Sequence, residues 1–168
     1  MADAPPPPDR APDATPDTAR EPVLVSACLL GLPCRYDGEL ARDEVRAAAA
    51  GVLATAGDVE LVAFCPEESG GLGTPRPPAW IEEGDAAAVL AGEARMVTDA
   101  GVDVTAAFRR GAEAARDLCR ARGIRRAVLK ERSPSCGVAA THVDGVPVPG
   151  PGVTARLLLD DGLDLTGV

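Results

Sequence analysis

The segment RRAVLKERSPSCG (residues 125–137) places a cysteine in a tight polar loop directly after a short apolar run. Two other segments, VLVSAC (residues 23–28) and VELVAFC (residues 59–65), show the same order of an apolar run followed by a cysteine. Short apolar runs bounded by turn-forming residues are typical of buried strands. We therefore predict three strands, within residues 23–27, 59–64 and 125–130, and a cysteine in the loop after each of them.

Helical patterns separate these strands. Residues 38–57 form an Ala-rich pattern that ends at glycine, and residues 103–123 carry a stripe of apolar residues at helical spacing. A last helix is predicted within residues 152–162. The alternation favours an α/β fold, a single layered, Rossmann-like domain with a mostly parallel sheet and helices on both faces.

Other parts of the chain have weaker patterns. Val89–Leu90 and Met96–Thr98 are interpreted as short edge strands, and the only histidine, His142, as part of a loop that leads into the Gly-Pro-rich residues 144–152. Because neither serine of the SPSC motif has an evident histidine base, a Ser-His-Asp hydrolase is not expected.

Residues 1–21 are rich in Pro, Ala and Asp, which predicts a disordered tail before a folded domain of residues 22–168.

Composition narrows the classes of partner. The chain has 168 residues and a formal net charge of −9, which does not suit binding to a nucleic-acid polymer. It contains no apolar run of about 18 residues and no secretory signal pattern, so we expect no membrane span and a cytoplasmic protein. In that compartment, five cysteines are expected to be reduced, ligating or catalytic rather than paired in disulfides.

The three strand-end cysteines are the main candidates for chemistry. If the strands are parallel neighbours, Cys28, Cys65 and Cys136 converge at one edge of the sheet, where such folds bind ligands. This arrangement suggests a metal or metal–sulfur centre, although three small buried side chains at strand ends would give the same spacing. Cys34 is a fourth candidate, as a ligand, a redox partner or a loop thiol. Cys119 lies on the apolar stripe of its helix and is expected to belong to the core.

Polar residues beside these cysteines extend the candidate site. Glu67 can orient water or take a proton, or it can be a solvated loop residue. Ser133 and Ser135 can orient a substrate or pass a proton, or they can simply form a turn. The segment GGLGTP (residues 70–75) lacks the ending of a phosphate-binding loop and is interpreted as a rigid wall. Arg76 follows it, either to hold an anionic or carbonyl group or to pair with a surface carboxylate.

Four motifs in one order carry a family resemblance: VSACLLGLPCRYDG, FCPEESGGLGTPRPP, GVDVTAAFRRGA and VLKERSPSCG. Together they resemble the small bacterial family that includes the thiouracil desulfidases, across essentially all of residues 22–160. The resemblance implies an oxygen-sensitive [4Fe-4S] cluster held by Cys28, Cys65 and Cys136, with one iron left to bind the substrate sulfur. It also implies that Glu67 is the acid/base carboxylate and that a serine of SPSC is essential, with Ser133 favoured over Ser135.

The implied activity is a hydrolytic, non-redox desulfuration. A small thiolated nucleobase or related thioamide would react with water to give the oxo base and hydrogen sulfide. The alternative is a non-catalytic iron–sulfur or zinc protein in which Cys34 is the fourth ligand, because a fully ligated centre has no position for a substrate.

Overall fold

The structure, a computed structural model, describes residues 20–168. The strands are β1 (Glu21–Ser26), β2 (Val59–Phe64), β3 (Ala79–Glu82), β4 (Arg95–Thr98), β5 (Arg126–Leu129), β6 (Ala140–Val143), β7 (Val146–Pro149) and β8 (Asp164–Gly167). The helices are α1 (Asp43–Thr55), α2 (Pro66–Ser69), α3 (Ala86–Ala91), α4 (Thr105–Arg122) and α5 (Val153–Asp160), with a 3-10 helix at Ala27–Leu30. No helix among the described residues is long and apolar enough to span a membrane.

The proposed tail falls almost entirely on residues 1–19, which lie outside the described residues. Strand β1 begins at Glu21, whose carboxylate pairs with Arg126 of β5, and Arg20 pairs with Asp58. We propose that the folded domain, which was predicted to begin near Pro22, carries the whole activity.

The first sheet is entirely parallel, in the order β2-β1-β5-β8. Side chains alternate across β1, so that Leu24 packs against α4 and α5, whereas Val23 and Val25 pack against α1. Since successive residues of a strand point to opposite faces, a run of buried apolar residues requires a helical layer on each side. The predicted parallel sheet with helices on both faces is therefore confirmed, and Cys119 lies in the core between α4 and this sheet.

A second sheet, in the order β4-β3-β6-β7, was not expected from the sequence. Strands β3 and β6 are parallel, and antiparallel β4 and β7 flank them. The strand at residues 96–98 is confirmed as part of β4, but the one at Val89–Leu90 was wrong. Those residues lie in α3, whose first turn is capped by Asp85 through the Ala88 amide. The loop assignment of His142 was also wrong, because it lies in β6.

Two glycines allow α2 to contact α4 closely. A Cβ atom added at Gly70 would lie 2.0 Å from the Ala107 carbonyl oxygen, and one at Gly111 would lie 2.0 Å from the Pro66 carbonyl oxygen. Real Cβ atoms do not approach oxygen so closely, so both positions exclude any other residue without a shift of the backbone. The contact fixes the position of α2, which directly follows Cys65.

Gly111→Ala should destabilise the protein by about 1–3 kcal/mol, because the new methyl group forces α2 away from α4. Gly51→Ala is the matched control, since it is also helical but has no atom within 4 Å of the added Cβ. That control should gain stability of up to about 1 kcal/mol from helix propensity. Thermal unfolding of the two variants measures the difference, and equal midpoints would contradict the close contact.

Candidate functional site

A cavity of about 380 Å³ opens at the carboxyl edge of the first sheet. Its lining combines thiols, a carboxylate, a hydroxyl and an arginine from loops that follow β1, β2 and β5: Cys28, Cys34, Cys65, Glu67, Arg76, Ser133 and Cys136. Residues of β3 and β6 line it from the side of the second sheet. The sequence-predicted residues are thus brought together at one place, with the exception of Ser135, which does not line the cavity.

The strand order explains why the three cysteines converge. Cys28 lies in the 3-10 helix after β1, Cys65 directly follows β2, and Cys136 lies in the loop after β5. Strand β1 lies between β2 and β5, and all three run in the same direction. Helix α1, between β1 and β2, packs on one face of the sheet, and α5, between β5 and β8, packs on the other. The gap between β1 and β5 is therefore the position where open parallel sheets bind ligands.

Cys34 is close to these cysteines and is also free. Its sulfur, that of Cys65 and a carboxylate oxygen of Glu68 lie within 4.8 Å of one another. A hydrogen bond with the Cys28 thiol, with burial added, raises the pKa of Cys34 to about 11. Burial raises the pKa of Cys136 to about 12. These thiols are therefore protonated at neutral pH in the absence of a metal, and the binding of a metal by such thiols would release protons.

Glu67 is held by Arg76 rather than exposed on a solvated loop. The side chains of Arg76 and Glu67 are only 8% and 14% exposed, and Nε and Nη2 of Arg76 each lie 2.8 Å from Oε2 of Glu67. Burial raises the pKa of Glu67 above its ordinary value, and the arginine charge opposes that rise. One interpretation of the sequence was that Arg76 pairs with a surface carboxylate. Its partner is instead the buried carboxylate of Glu67.

The two serines of the SPSC motif have different surroundings. The Ser133 oxygen accepts hydrogen bonds from the amides of Ser135 and Cys136, at 3.2 and 3.0 Å, and Ser133 lines the cavity. The Ser135 hydroxyl is fully buried 2.7 Å from the Thr154 hydroxyl of α5. The first amides of α5 bind the carbonyls of Pro134 and Ser135. Ser133 therefore faces the site, whereas Ser135 attaches the turn to α5.

Ser135→Ala and Ser133→Ala should consequently have different effects. The first leaves the buried Thr154 hydroxyl without its partner, which should cost about 1–3 kcal/mol of stability and little activity. The second removes a proton donor from the cavity, and turnover should fall by about 100-fold. Thermal unfolding and turnover measured on both variants separate the roles. A large loss of turnover per folded molecule in Ser135→Ala would contradict the assignment.

A carboxylate shapes the loop that carries Cys136. Glu131 accepts hydrogen bonds from the amides of Val138, Ala139 and Ala140, at 3.3, 2.9 and 3.1 Å. These contacts close the chain between β5 and β6 into a compact loop around the SPSC turn. The Glu131 carboxylate thus gives these backbone amides the hydrogen-bond acceptors that a neighbouring strand would provide in a sheet.

Aromatic and cationic residues of the lining were missed in the sequence. The chain has two Phe, one Trp and one Tyr, and three of these four line the cavity: Tyr36, Phe64 and Trp80. The only histidine, His142, lines it as well. Three cations besides Arg76 also line it: Arg35, Lys130 and Arg132. The sequence did contain a signal for these residues. The chain has very few aromatic side chains, so an aromatic residue close to one of the cysteine-containing segments could have been identified as a candidate for substrate binding.

The comparisons with known proteins agree with this geometry. A sequence model of the 2-thiouracil desulfurase family matches residues 23–167. The protein YbbK of Bacillus subtilis (strain 168), described as uncharacterized, is 40% identical over 145 residues, which cover 83% of this chain and 91% of the relative. A solved structure of the [4Fe-4S]-dependent thiouracil desulfidase TudS is 43% identical, with a TM-score of 0.68 over 88% of this chain and 91% of that one. Because the family match extends from β1 to β8, this chain belongs to the 2-thiouracil desulfurase family.

Proposed function

We propose that this protein is a [4Fe-4S]-dependent desulfidase that hydrolyses the C–S bond of a thiolated pyrimidine such as thiouracil. One observation carries the proposal: three free thiols from adjacent parallel strands line the same cavity as a buried carboxylate, Glu67. The family match and the similarity to TudS support an enzyme rather than the non-catalytic protein in which Cys34 is the fourth ligand. Free thiols and an iron–sulfur group also suit the reducing cytoplasm.

The donor set of the cavity fits an iron–sulfur cluster. Cys28, Cys65 and Cys136 each come from a separate loop, and none of them is in a disulfide. Cysteine sulfur is the ligand that iron–sulfur clusters use, and thiolates are preferred by soft metals over carboxylates or imidazoles. We propose these three thiols as the ligands. Cys34 then remains a buried thiol beside Cys65.

The residues of the cavity divide the work of hydrolysis. When bound, the cluster supplies an iron that acts as a Lewis acid towards the thiocarbonyl sulfur. Oε1 of Glu67 takes a proton from a water molecule as the water oxygen bonds to the ring carbon. The added hydroxyl then loses its proton as the C–S bond breaks and the oxo base forms, and sulfur leaves as hydrogen sulfide with both protons of the water, one of them returned by Glu67. The Ser133 hydroxyl donates a hydrogen bond or a proton to the heteroatom that carries the developing negative charge.

The remaining lining residues fit a planar and electron-rich substrate. Trp80 and Tyr36 provide ring faces for stacking on a pyrimidine. Arg132 has no ion pair among residues 20–168, and Nζ of Lys130 donates one hydrogen bond, to the Glu131 carbonyl at 2.8 Å, so both cationic side chains keep donors for a substrate. These charges favour a substrate that carries carbonyl or phosphate oxygens over a plain aliphatic thioamide.

Anaerobic incubation with 2-thiouracil, 4-thiouracil and a thiouridine monophosphate should release sulfide and the matching oxo base in equal amounts. We expect thioacetamide, which lacks the ring, to react at least about 100-fold more slowly, as expected when substrate-positioning contacts are lost. Chromatography of the base and a colorimetric assay of sulfide follow both products. Sulfide release at equal rates from thioacetamide and the thiolated pyrimidines would contradict a nucleobase specificity.

A further inference from the structure

The geometry points to Arg76 as a positioning residue, which holds one oxygen of Glu67 so that the other faces the reacting water. The inference rests on the proposed function, because Glu67 is the acid/base group there. Arg76 touches neither the proposed ligand sulfurs nor the cavity water in this scheme. Its effect on turnover would pass through the orientation of the Glu67 carboxylate.

Each nitrogen atom of the Arg76 side chain contacts an acceptor in the protein. Nε donates to Oε2 of Glu67 at 2.8 Å, and the Nη2 nitrogen forms an ion pair with the same oxygen, also at 2.8 Å. Nη2 also donates to the Cys34 carbonyl at 3.0 Å, and Nη1 donates to the Gly73 carbonyl at 3.2 Å and the Thr74 hydroxyl at 3.0 Å. An arginine side chain has five N–H groups, and four of them donate hydrogen bonds here, while the nitrogen of the fifth is in ion-pair contact with Oε2 of Glu67. The guanidinium group is therefore almost fully engaged within the protein, which argues against a substrate-binding role.

The contact with Glu67 is one-sided. Both nitrogen atoms face Oε2, whereas Oε1 accepts no hydrogen bond from any residue in the part of the chain described here. Arginine and carboxylate commonly form a fork in which both oxygens are used. The one-sided contact instead fixes the carboxylate and leaves Oε1 available to the cavity, which is the arrangement that a general base requires.

Arg76 is itself held from several directions. Its backbone amide donates to the Tyr36 carbonyl at 2.7 Å, and Pro75 and Pro77 flank it in sequence. The contacts of its side chain and backbone therefore join the loop with Cys34 and Tyr36 to helix α2, which carries Glu67. A carboxylate that is hydrogen-bonded to such a fixed arginine has little freedom to rotate. Its free oxygen is therefore held in one position relative to the water and the substrate.

A double-mutant cycle with Arg76→Met and Glu67→Gln tests this role. Arg76→Met alone should lower kcat by about 100-fold with little change in KM, since the base is misplaced while the ring contacts remain. In the Glu67→Gln background the same change should lower kcat by less than about 3-fold, because the oriented group is already absent. Losses that multiply would show that Arg76 acts independently of Glu67, which overturns the proposal.

Readouts other than turnover distinguish positioning from a structural role. Iron and sulfide content per chain should be unchanged in Arg76→Met, and so should the affinity for uracil measured by fluorescence of Trp80, the only tryptophan. The thermal midpoint should fall in Arg76→Met, which leaves a buried carboxylate without its counter-charge, and should recover in the double variant. Loss of iron or of uracil affinity in Arg76→Met would overturn the proposal in favour of a structural or binding role.

Arg122→Met is the matched control, because Arg122 forms an exposed ion pair with Glu60 away from the cavity. It should change neither kcat nor the effect of Glu67→Gln. A wild-type protein that releases no sulfide from any thiolated pyrimidine overturns the proposed function, and the role of Arg76 in turnover with it. Normal wild-type turnover with multiplied losses in the cycle overturns the positioning role alone.

Discussion

Replacing Glu67 by Gln should lower turnover by about two to four orders of magnitude, the range expected when an acid–base group is lost. The amide is nearly isosteric, and its oxygen can still accept the hydrogen bond from Nε of Arg76, so the cavity should keep its shape. Iron content and uracil affinity should therefore stay at the wild-type level. Sulfide release divided by bound iron is the measurement that isolates the chemical step.

The alternative is that Glu67 only supports the loop that carries Cys65. In that case the variant should bind less iron, while turnover per intact cluster should stay near the wild-type value. Glu60→Gln is the control, because Glu60 is a carboxylate on the strand before Cys65 but does not line the cavity. Normal turnover per cluster in Glu67→Gln would show that another group activates the water.

Replacing Cys28, Cys65 or Cys136 by Ala should remove the cluster and abolish turnover, which is the largest effect expected for any substitution in this chain. Each change removes one of the three proposed thiolate ligands, and neighbouring residues offer no equivalent sulfur except Cys34. Anaerobic reconstitution followed by iron and sulfide counts and a visible spectrum measures the loss. Each of the three variants should lack the broad visible absorption.

The other two cysteines provide the controls for that series. Cys119 is buried between α4 and the first sheet, so Cys119→Ala should cost stability and keep iron. Cys34→Ala should also keep iron, because three ligands suffice in the proposed site. A Cys34→Ala protein that cannot hold iron would contradict the open iron position and support a fully ligated centre.

The sequence predicts three of the four strands of the first sheet because β1, β2 and β5 lie in short, mainly apolar runs, whereas β8 (DLTG) has no such pattern and was not expected. Val23, Leu24 and Val25 are buried on both faces of β1, and this leaves an unmistakable pattern in the chain. The positions of Cys28, Cys65 and Cys136 followed from the strand ends. In physical terms, a parallel sheet converts sequence positions after strands into neighbours in space.

The second sheet left a much weaker pattern. Strands β6 and β7 have four residues each, and Pro147 and Pro149 lie in β7, an edge strand where a missing amide donor is tolerated. The alanine-rich run around Val89 fits a helix and a strand equally well until the cap of Asp85 is known. Because β6 is so short, the sequence pattern assigned His142 to a loop and not to this strand.

The pairing of Glu67 with Arg76 is the part of the site that sequence patterns do not contain. The two residues are separated by a Gly- and Pro-rich loop, and loop geometry depends on contacts with other segments, here the Cys34 carbonyl. Likewise, the difference between Ser133 and Ser135 depends on the approach of α5 to the turn. Each of these features arises from contacts between segments that are distant in sequence or joined by an irregular loop, which local periodicity does not encode.

The central claim is that water, activated in this cavity, replaces the sulfur of a thiolated pyrimidine. A single anaerobic turnover of 2-thiouracil in water enriched in oxygen-18, followed by mass spectrometry of the base, tests it most directly. The account predicts uracil that carries one heavy oxygen atom, formed in the same amount as sulfide. Uracil without the label, or sulfide released with no uracil formed, would contradict it.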